Sequence, residues 1–216
     1  ANAVLMAGAT PRFADIRAHD LSIDPTQVEK LINSRTKAIM PVHLYGGAPN
    51  MPQLQNICTK NGLYMIEDAA QGVGVRYNNK HAGTFGDLGI LSFYGNKTIT
   101  CGEGGVVLTE DDELAASCYR LKNHGRDKKG IFKHSHVGYN FAFTEMQAAI
   151  GIAQMNKLDR IIEKKRAIYE RYVTELNNIS AIKPLAFADN ITPVYWFTSF
   201  FTPYKLELAD YLREKN

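Results

Sequence analysis

Short apolar runs that end on polar residues recur along the first half of the chain, with helix-length amphipathic segments between them. Lys37–Val42, Leu63–Glu67, Leu88–Phe93 and Gly105–Thr109 each read as a buried strand of about five residues. Asp24-Pro25 starts a helix running to about Asn33, with Asp24 as N-cap and Pro25 in the first turn. Pro52–Asn61 is a second helix, closed by Gly62. The resulting β-α-β-α-β order predicts a mostly parallel sheet between helices, an α/β architecture. Arg12–Ile16 and Val73–Tyr77 are expected to add short strands, and residues 1–8 read as a helix end capped at Gly8.

The second half is more helical. Asp111 to about Asn123 is a helix, and Asn123–Gly138 is a long polar connection, the kind of loop that is usually functional or mobile. Thr144–Asn156 begins with a capping box, Thr144 with Gln147 three residues on. A longer helix spans about Leu158–Asn177. Ile182–Phe187 and Val194–Phe201 read as strands and Leu206–Lys215 as a helix. The expected organisation is a large domain over 1–157, a connecting helix over 158–178, and the start of a small C-terminal α/β domain over 179–216.

Composition narrows this only slightly. The 216 residues are 45% hydrophobic and 22% charged, ordinary for a globular chain with a sizeable core. The net charge of +3 is mild and its basic residues are scattered, so nucleic acid is not an expected partner. No apolar run approaches a membrane span, and the apolar opening of the chain lacks the basic segment of a signal peptide. Cys58, Cys101 and Cys118 are odd in number and widely spaced, which fits neither a disulfide framework nor a zinc knuckle and points to a reducing cytoplasmic setting.

Chemistry concentrates between Leu63 and Gly105. One strand ends in Glu67 and Asp68, and another leads into a polar, glycine-rich turn that holds Lys97. An anionic and a cationic strand end suit a cofactor with a cationic ring and an electrophilic carbon, and pyridoxal 5′-phosphate (PLP) is such a group. Taken singly, Asp68 could instead cap a helix begun by Ala69-Ala70, and Lys97 could be a solvated surface lysine.

The segments EDAAQ (67–71), GTFGDLGILSF (83–93), NKTIT (96–100) and GEGG (102–105) resemble the DegT/DnrJ/EryC1/StrS family of PLP-dependent nucleotide-sugar aminotransferases. So do PVHLYG (41–46), RLKNHGR (120–126), VGYNFAFTEMQAAIGIAQMNKLD (137–159) and YWFTSFF (195–201), in the family's order over nearly the whole chain. The resemblance implies the PLP-dependent transferase fold type I, a mixed, mostly parallel sheet between helices with a partial small C-terminal α/β domain. It also implies that the chain is a fragment. A preceding segment with a helix start for the cofactor phosphate, and the rest of the small domain, would lie outside it.

By the same resemblance Lys97 carries the cofactor as a Schiff base and then serves as acid and base, and Asp68 pairs with the pyridinium nitrogen. Gln71 contacts the ring hydroxyl or packs beside the cofactor, Ser92 binds its phosphate, and Asn140 reaches the phosphate of a neighbouring subunit. A homodimer with shared active sites follows. The string SFYGNKTIT before GEGG looks most like the 4-amino branch, especially its GDP-perosamine-forming members. The implied reaction moves an amino group, usually from glutamate, to the C4 keto group of a nucleotide-linked 4-keto-6-deoxy sugar. The alternatives are the 3-amino branch, which tends to read YPGKNLG at its lysine, a dehydratase, which carries histidine there, and a non-catalytic protein of the same fold. Cys101 stands where most of the family has Thr. His43 and Tyr94 could line the site, and a structural role for His43 is an equal reading. His134 and His136 lack the partners of a metal site, and Gly72-Val73-Gly74 lacks the third glycine of a dinucleotide fingerprint.

Overall fold

The computed structural model describes residues 1–128 and 130–215. The chain opens on a short helix, α1 (Asn2–Met6), followed by Gly8 at φ +75°. Residues 12–16 form no strand; only Ile16 bridges to Ile23. The turn between them is closed by the Arg17 amide donating to the Ser22 carbonyl at 2.8 Å, and side chains add to it, with Asp20 accepting from the Ser22 amide at 3.0 Å and Ser22 Oγ accepting from Arg17 at 2.7 Å. Helix α2 (Pro25–Leu31) is capped by Asp24, which accepts from the Thr26 amide at 2.8 Å. Strand β1 (Ala38–Ile39) leads to α3 (Met51–Asn61), which buries Met51, Leu54, Ile57 and Cys58 on one stripe and ends at left-handed Gly62.

Strand β2 (Tyr64–Asp68) is followed by β3 (Arg76–Tyr77), β4 (Lys80–His81), β5 (Leu88–Ser92) and β6 (Gly105–Leu108). Helices α4 (Asp112–Lys122), α5 (Glu145–Met155) and α6 (Leu158–Leu176) come next. Asp111 caps α4 and the Thr144/Gln147 capping box opens α5, as the sequence predicts. The chain closes with β7 (Lys183–Pro184), β8 (Ile191–Thr192), β9 (Phe200–Phe201) and α7 (Lys205–Lys215).

The main sheet has the order β1-β2-β5-β6. Strands β1, β2 and β5 are parallel, with Ile39 opposite Met65 and Asp68 opposite Ile90. Strand β6 runs antiparallel to β5, as it must when no crossover helix lies between them. Strand β3 does not join this sheet. It turns back into β4 through Asn78 and Asn79, both at positive φ, and pairs on its other side with β8. Two such asparagines make the tight hairpin turn that matches strand twist. The two C-terminal strands expected at 182–187 and 194–201 shrink to the two-residue pair β7–β9, in a region interrupted by Pro184 and Pro193.

The core packs α3 against the buried side of the sheet. Met51, Leu54, Ile57 and Met65 are almost wholly buried, each contributing about 1.5–3 kcal/mol. Ile191 and Val194, from the segment expected to begin the small domain, lie in the same cluster as Ile39, Met65 and Val75.

Candidate active site

Because β1, β2 and β5 are parallel, their carboxyl ends share one edge of the sheet, where ligands of open α/β sheets bind. Asp68 is the last residue of β2, and its amide donates to the Pro41 carbonyl at 2.9 Å. The Asp68 carbonyl accepts from the His43 amide at 2.9 Å. Ser92 ends β5 opposite Gly105, the first residue of β6. The loop 93–104 therefore also lies at this edge, and it carries Lys97. Phe93 closes the loop, donating to Gly104 at 2.8 Å and accepting from Cys101 at 3.1 Å. Gly104 has φ +145° and lies so close to Phe143 that a Cβ would meet the ring at 2.6 Å, so this glycine has no substitute.

The expected site residues arrive there in different states. Asp68 is half-buried, and one carboxylate oxygen accepts from the Ala70 amide at 3.1 Å. No helix follows it, which removes the reading as a helix cap. Gln71 accepts from the Tyr45 amide at 2.6 Å through Oε1, so its NH2 group is not used in that bond. Tyr45 holds an uncommon left-handed conformation, φ +53°. Ser92 Oγ accepts from the Tyr94 amide at 3.3 Å, leaving its hydroxyl proton to be donated elsewhere. Lys97 is half-buried and, among the described residues, pairs with no carboxylate. Its Nζ stands 4.5 Å from the centre of the Trp196 ring. Asn140 is exposed and sits on a bridge to Asn123, with no hydrogen bond to Asp68, Ser92 or Lys97. Tyr94 is exposed, and His134 Nδ1 is engaged with the His124 carbonyl at 2.7 Å.

Glu67, adjacent to Asp68, turns the other way, as successive strand residues do. It is fully buried and accepts from His43 Nε2 at 2.8 Å, from the amides of Gly83 at 2.8 Å and Gly86 at 2.7 Å, and from the Phe85 amide. Burial alone would raise its pKa, but the His43 hydrogen bond and charge, with the backbone donors, more than offset this and hold it below the ordinary carboxylate value. His43 is thus a structural residue under the site rather than a lining of it, the second of its two readings.

Trp196 carried no expected role. The signal was present, since it lies within YWFTSFF and is the only tryptophan of the chain, but its distance from Lys97 in sequence hid the contact.

An amine that pairs with no carboxylate among the described residues, a half-buried carboxylate with one oxygen engaged, and a hydroxyl with a proton to give lie at one sheet edge. These donors fit PLP: a carboxylate for a pyridinium nitrogen, an amine for the carbonyl carbon, and a hydroxyl for the phosphate. A family model described as the DegT/DnrJ/EryC1/StrS aminotransferase family matches residues 1–214. The chain belongs to that family. It is similar to the GDP-perosamine synthase of Vibrio cholerae, 40% identical over 207 residues, which cover 96% of this chain and 56% of that protein. Among solved structures, DesV of S. venezuelae superposes with a TM-score of 0.93 at 34% identity over 99% of this chain and 57% of that one. NtdA of Bacillus subtilis, solved with bound cofactor PMP, has a TM-score of 0.86 at 33% identity, covering 97% and 48%. The fold expectation, an aminotransferase α/β fold with a mostly parallel sheet, therefore holds. The chain spans about half the length of the curated relatives it matches. No helix among the described residues is long and apolar enough to cross a membrane.

Proposed function

We propose that this chain supplies the cofactor-binding part of a PLP-dependent aminotransferase that converts the C4 keto group of a nucleotide-linked 4-keto-6-deoxy sugar to an amine, with glutamate as donor. The observation that carries the reading is the edge where Asp68, Ser92 and Lys97 lie. The substrate class rests on the similarity to GDP-perosamine synthases, and the 3-amino, dehydratase and non-catalytic alternatives have no specific observation in their favour. The proposal extends to a cytoplasmic homodimer, with Asn140 of the partner subunit completing the phosphate site. It also keeps the division into a large domain, a connecting helix at 158–178 and a small domain from 179.

Bound at this edge, PLP supplies an electrophilic carbon and a cationic ring that withdraws electrons. Asp68, half-buried, keeps a proton on the ring nitrogen through a charge-assisted hydrogen bond. Ser92 donates its hydroxyl proton to a phosphate oxygen. Gln71, fixed through Oε1 to the Tyr45 amide, would have its NH2 group left to donate to the ring hydroxyl. Lys97 would hold the cofactor, and its amine is the group that would take a proton from the donor carbon and return one.

The test is amination of a GDP-4-keto-6-deoxy sugar by the intact protein with glutamate, run beside the corresponding UDP and dTDP sugars. Turnover of none of them would sink the reading. Asp68→Asn is expected to lower kcat by the equivalent of about 2–4 kcal/mol of transition-state stabilisation, because a neutral amide no longer stabilises the protonated ring. The fold should persist, as one Asp68 oxygen makes only a local bond. Near-normal turnover would show that another group holds that proton.

A further inference from the structure

The Lys97 amine is held by an aromatic face, and that face is itself unusually well fixed. A cation within about 6 Å of an indole centre is attracted by the ring quadrupole, most strongly when partly desolvated. Lys97 Nζ stands 4.5 Å away, and Trp196 is only 8% exposed. The indole Nε1–H donates at 2.7 Å to the carbonyl of Asn96, the residue just before the lysine. One tryptophan thus contacts both the lysine and the turn that carries it.

The backbone of Trp196 is anchored independently. Its carbonyl accepts from Lys165 Nζ of α6 at 3.1 Å. Two residues earlier, the Val194 amide donates to Gly46 at 3.0 Å. Gly46 has φ +83° and approaches Val194 so closely that a Cβ would fall 1.6 Å from the Val194 oxygen. The same turn supplies the His43 amide to Asp68 and the Tyr45 amide to Gln71. The turn after β1 therefore ties Asp68 and Gln71 directly, and Lys97 through Val194 and Trp196.

We propose that Trp196 is a positioning residue for Lys97: its ring face holds the lysine amine at the sheet edge, and its Nε1–H fixes the turn that bears it. This rests on the aminotransferase reading, so the first readout is independent of catalysis. In the intact protein freed of cofactor, lysines are reductively methylated with ¹³C-formaldehyde and the Lys97 resonance is assigned with Lys97→Arg. The ring current of Trp196 should place that resonance upfield of the exposed lysines. Trp196→Phe keeps a ring face and should keep much of the shift. Trp196→Leu fills the space without a π face and should lose it.

The second readout is the rate at which added PLP attaches to Lys97, followed by absorbance and borohydride trapping. Attachment needs the neutral amine, so here the ring acts by orienting the side chain and not by stabilising its charge: Trp196→Leu should attach PLP roughly tenfold more slowly, the cost of a misplaced nucleophile, and Trp196→Phe should recover most of that loss. An unshifted Lys97 resonance in the parent protein, or attachment in Trp196→Leu as fast as in the parent, overturns the proposal. If the parent attaches PLP to no lysine, the aminotransferase reading fails, and the resonance alone decides whether Trp196 holds the amine.

Discussion

Lys97→Ala is expected to abolish transamination in the intact protein while leaving PLP held non-covalently. On the function proposed above the lysine would have two jobs that no neighbour can assume: to hold the cofactor, and to move a proton to and from the donor carbon. Losing a nucleophile and a general acid–base group together should lower kcat on the order of 10⁴-fold or more. Stability should barely change, because Lys97 makes no ion pair among the described residues and gives up only its contact with Trp196. Lys97→Arg separates charge from chemistry: it keeps a cation over the indole but cannot attach the cofactor, and it should be equally inactive. Single-turnover kinetics with glutamate, together with peptide mapping after borohydride reduction, measure both effects. A cofactor label on any other lysine would show that the turn at 94–100 is not the attachment point.

The sequence exposed this site unevenly. Strand ends and glycine turns are local features, so Asp68, Ser92 and Lys97 could be placed at strand termini from the apolar runs before them. Their meeting at one edge required that β2 and β5 be parallel, and no helix joins those two: the connection runs through the β3–β4 hairpin, so the helix between β1 and β2 fixed only the first pair. Long-range partners were hidden. Trp196 reaches Asn96 across 100 positions, and nothing in its neighbourhood announces that. Glu67 looked like a companion of Asp68 because the two are adjacent. The period of two along a strand places adjacent residues on opposite faces, so the pair was never one anionic patch. The β3–β4 hairpin was legible and overlooked: Asn78-Asn79 between two short strand-like pairs is a turn signal. Residues 12–16 had the reverse problem, a strand-like pattern with no strand beside it: Ile16 only bridges to Ile23, and the Asp15 carbonyl accepts from the Asp24 amide at the start of α2.

The turn inward of Glu67 has the largest consequence for stability. Glu67→Ala removes the acceptor of four donors: His43 Nε2 and the amides of Gly83, Phe85 and Gly86. The cavity left behind is too enclosed for the donors to reach bulk water, since Glu67 and His43 are both fully buried. His43 would then lose its partner at Nε2 while Nδ1 is already without one. Leaving buried donors without an acceptor costs about 1–3 kcal/mol each, and several at once are a large fraction of the roughly 5–15 kcal/mol that holds a domain together. Glu67→Gln should fall between, because one amide oxygen still accepts while the NH2 group faces the donors that remain. The effect has a defined pH dependence. The folded pKa of Glu67 lies below its ordinary value of 4.5, so the stability it contributes is complete above that value and disappears as pH falls through the folded value. Urea unfolding of the intact protein and of Glu67→Gln should therefore differ most near pH 7, begin to converge only below pH 4.5, and meet once the pH has fallen through the lower, folded value. Equal midpoints at neutral pH, or a gap that persists in acid, would mean that the Gly83–Gly86 turn is held by its own packing rather than by this carboxylate.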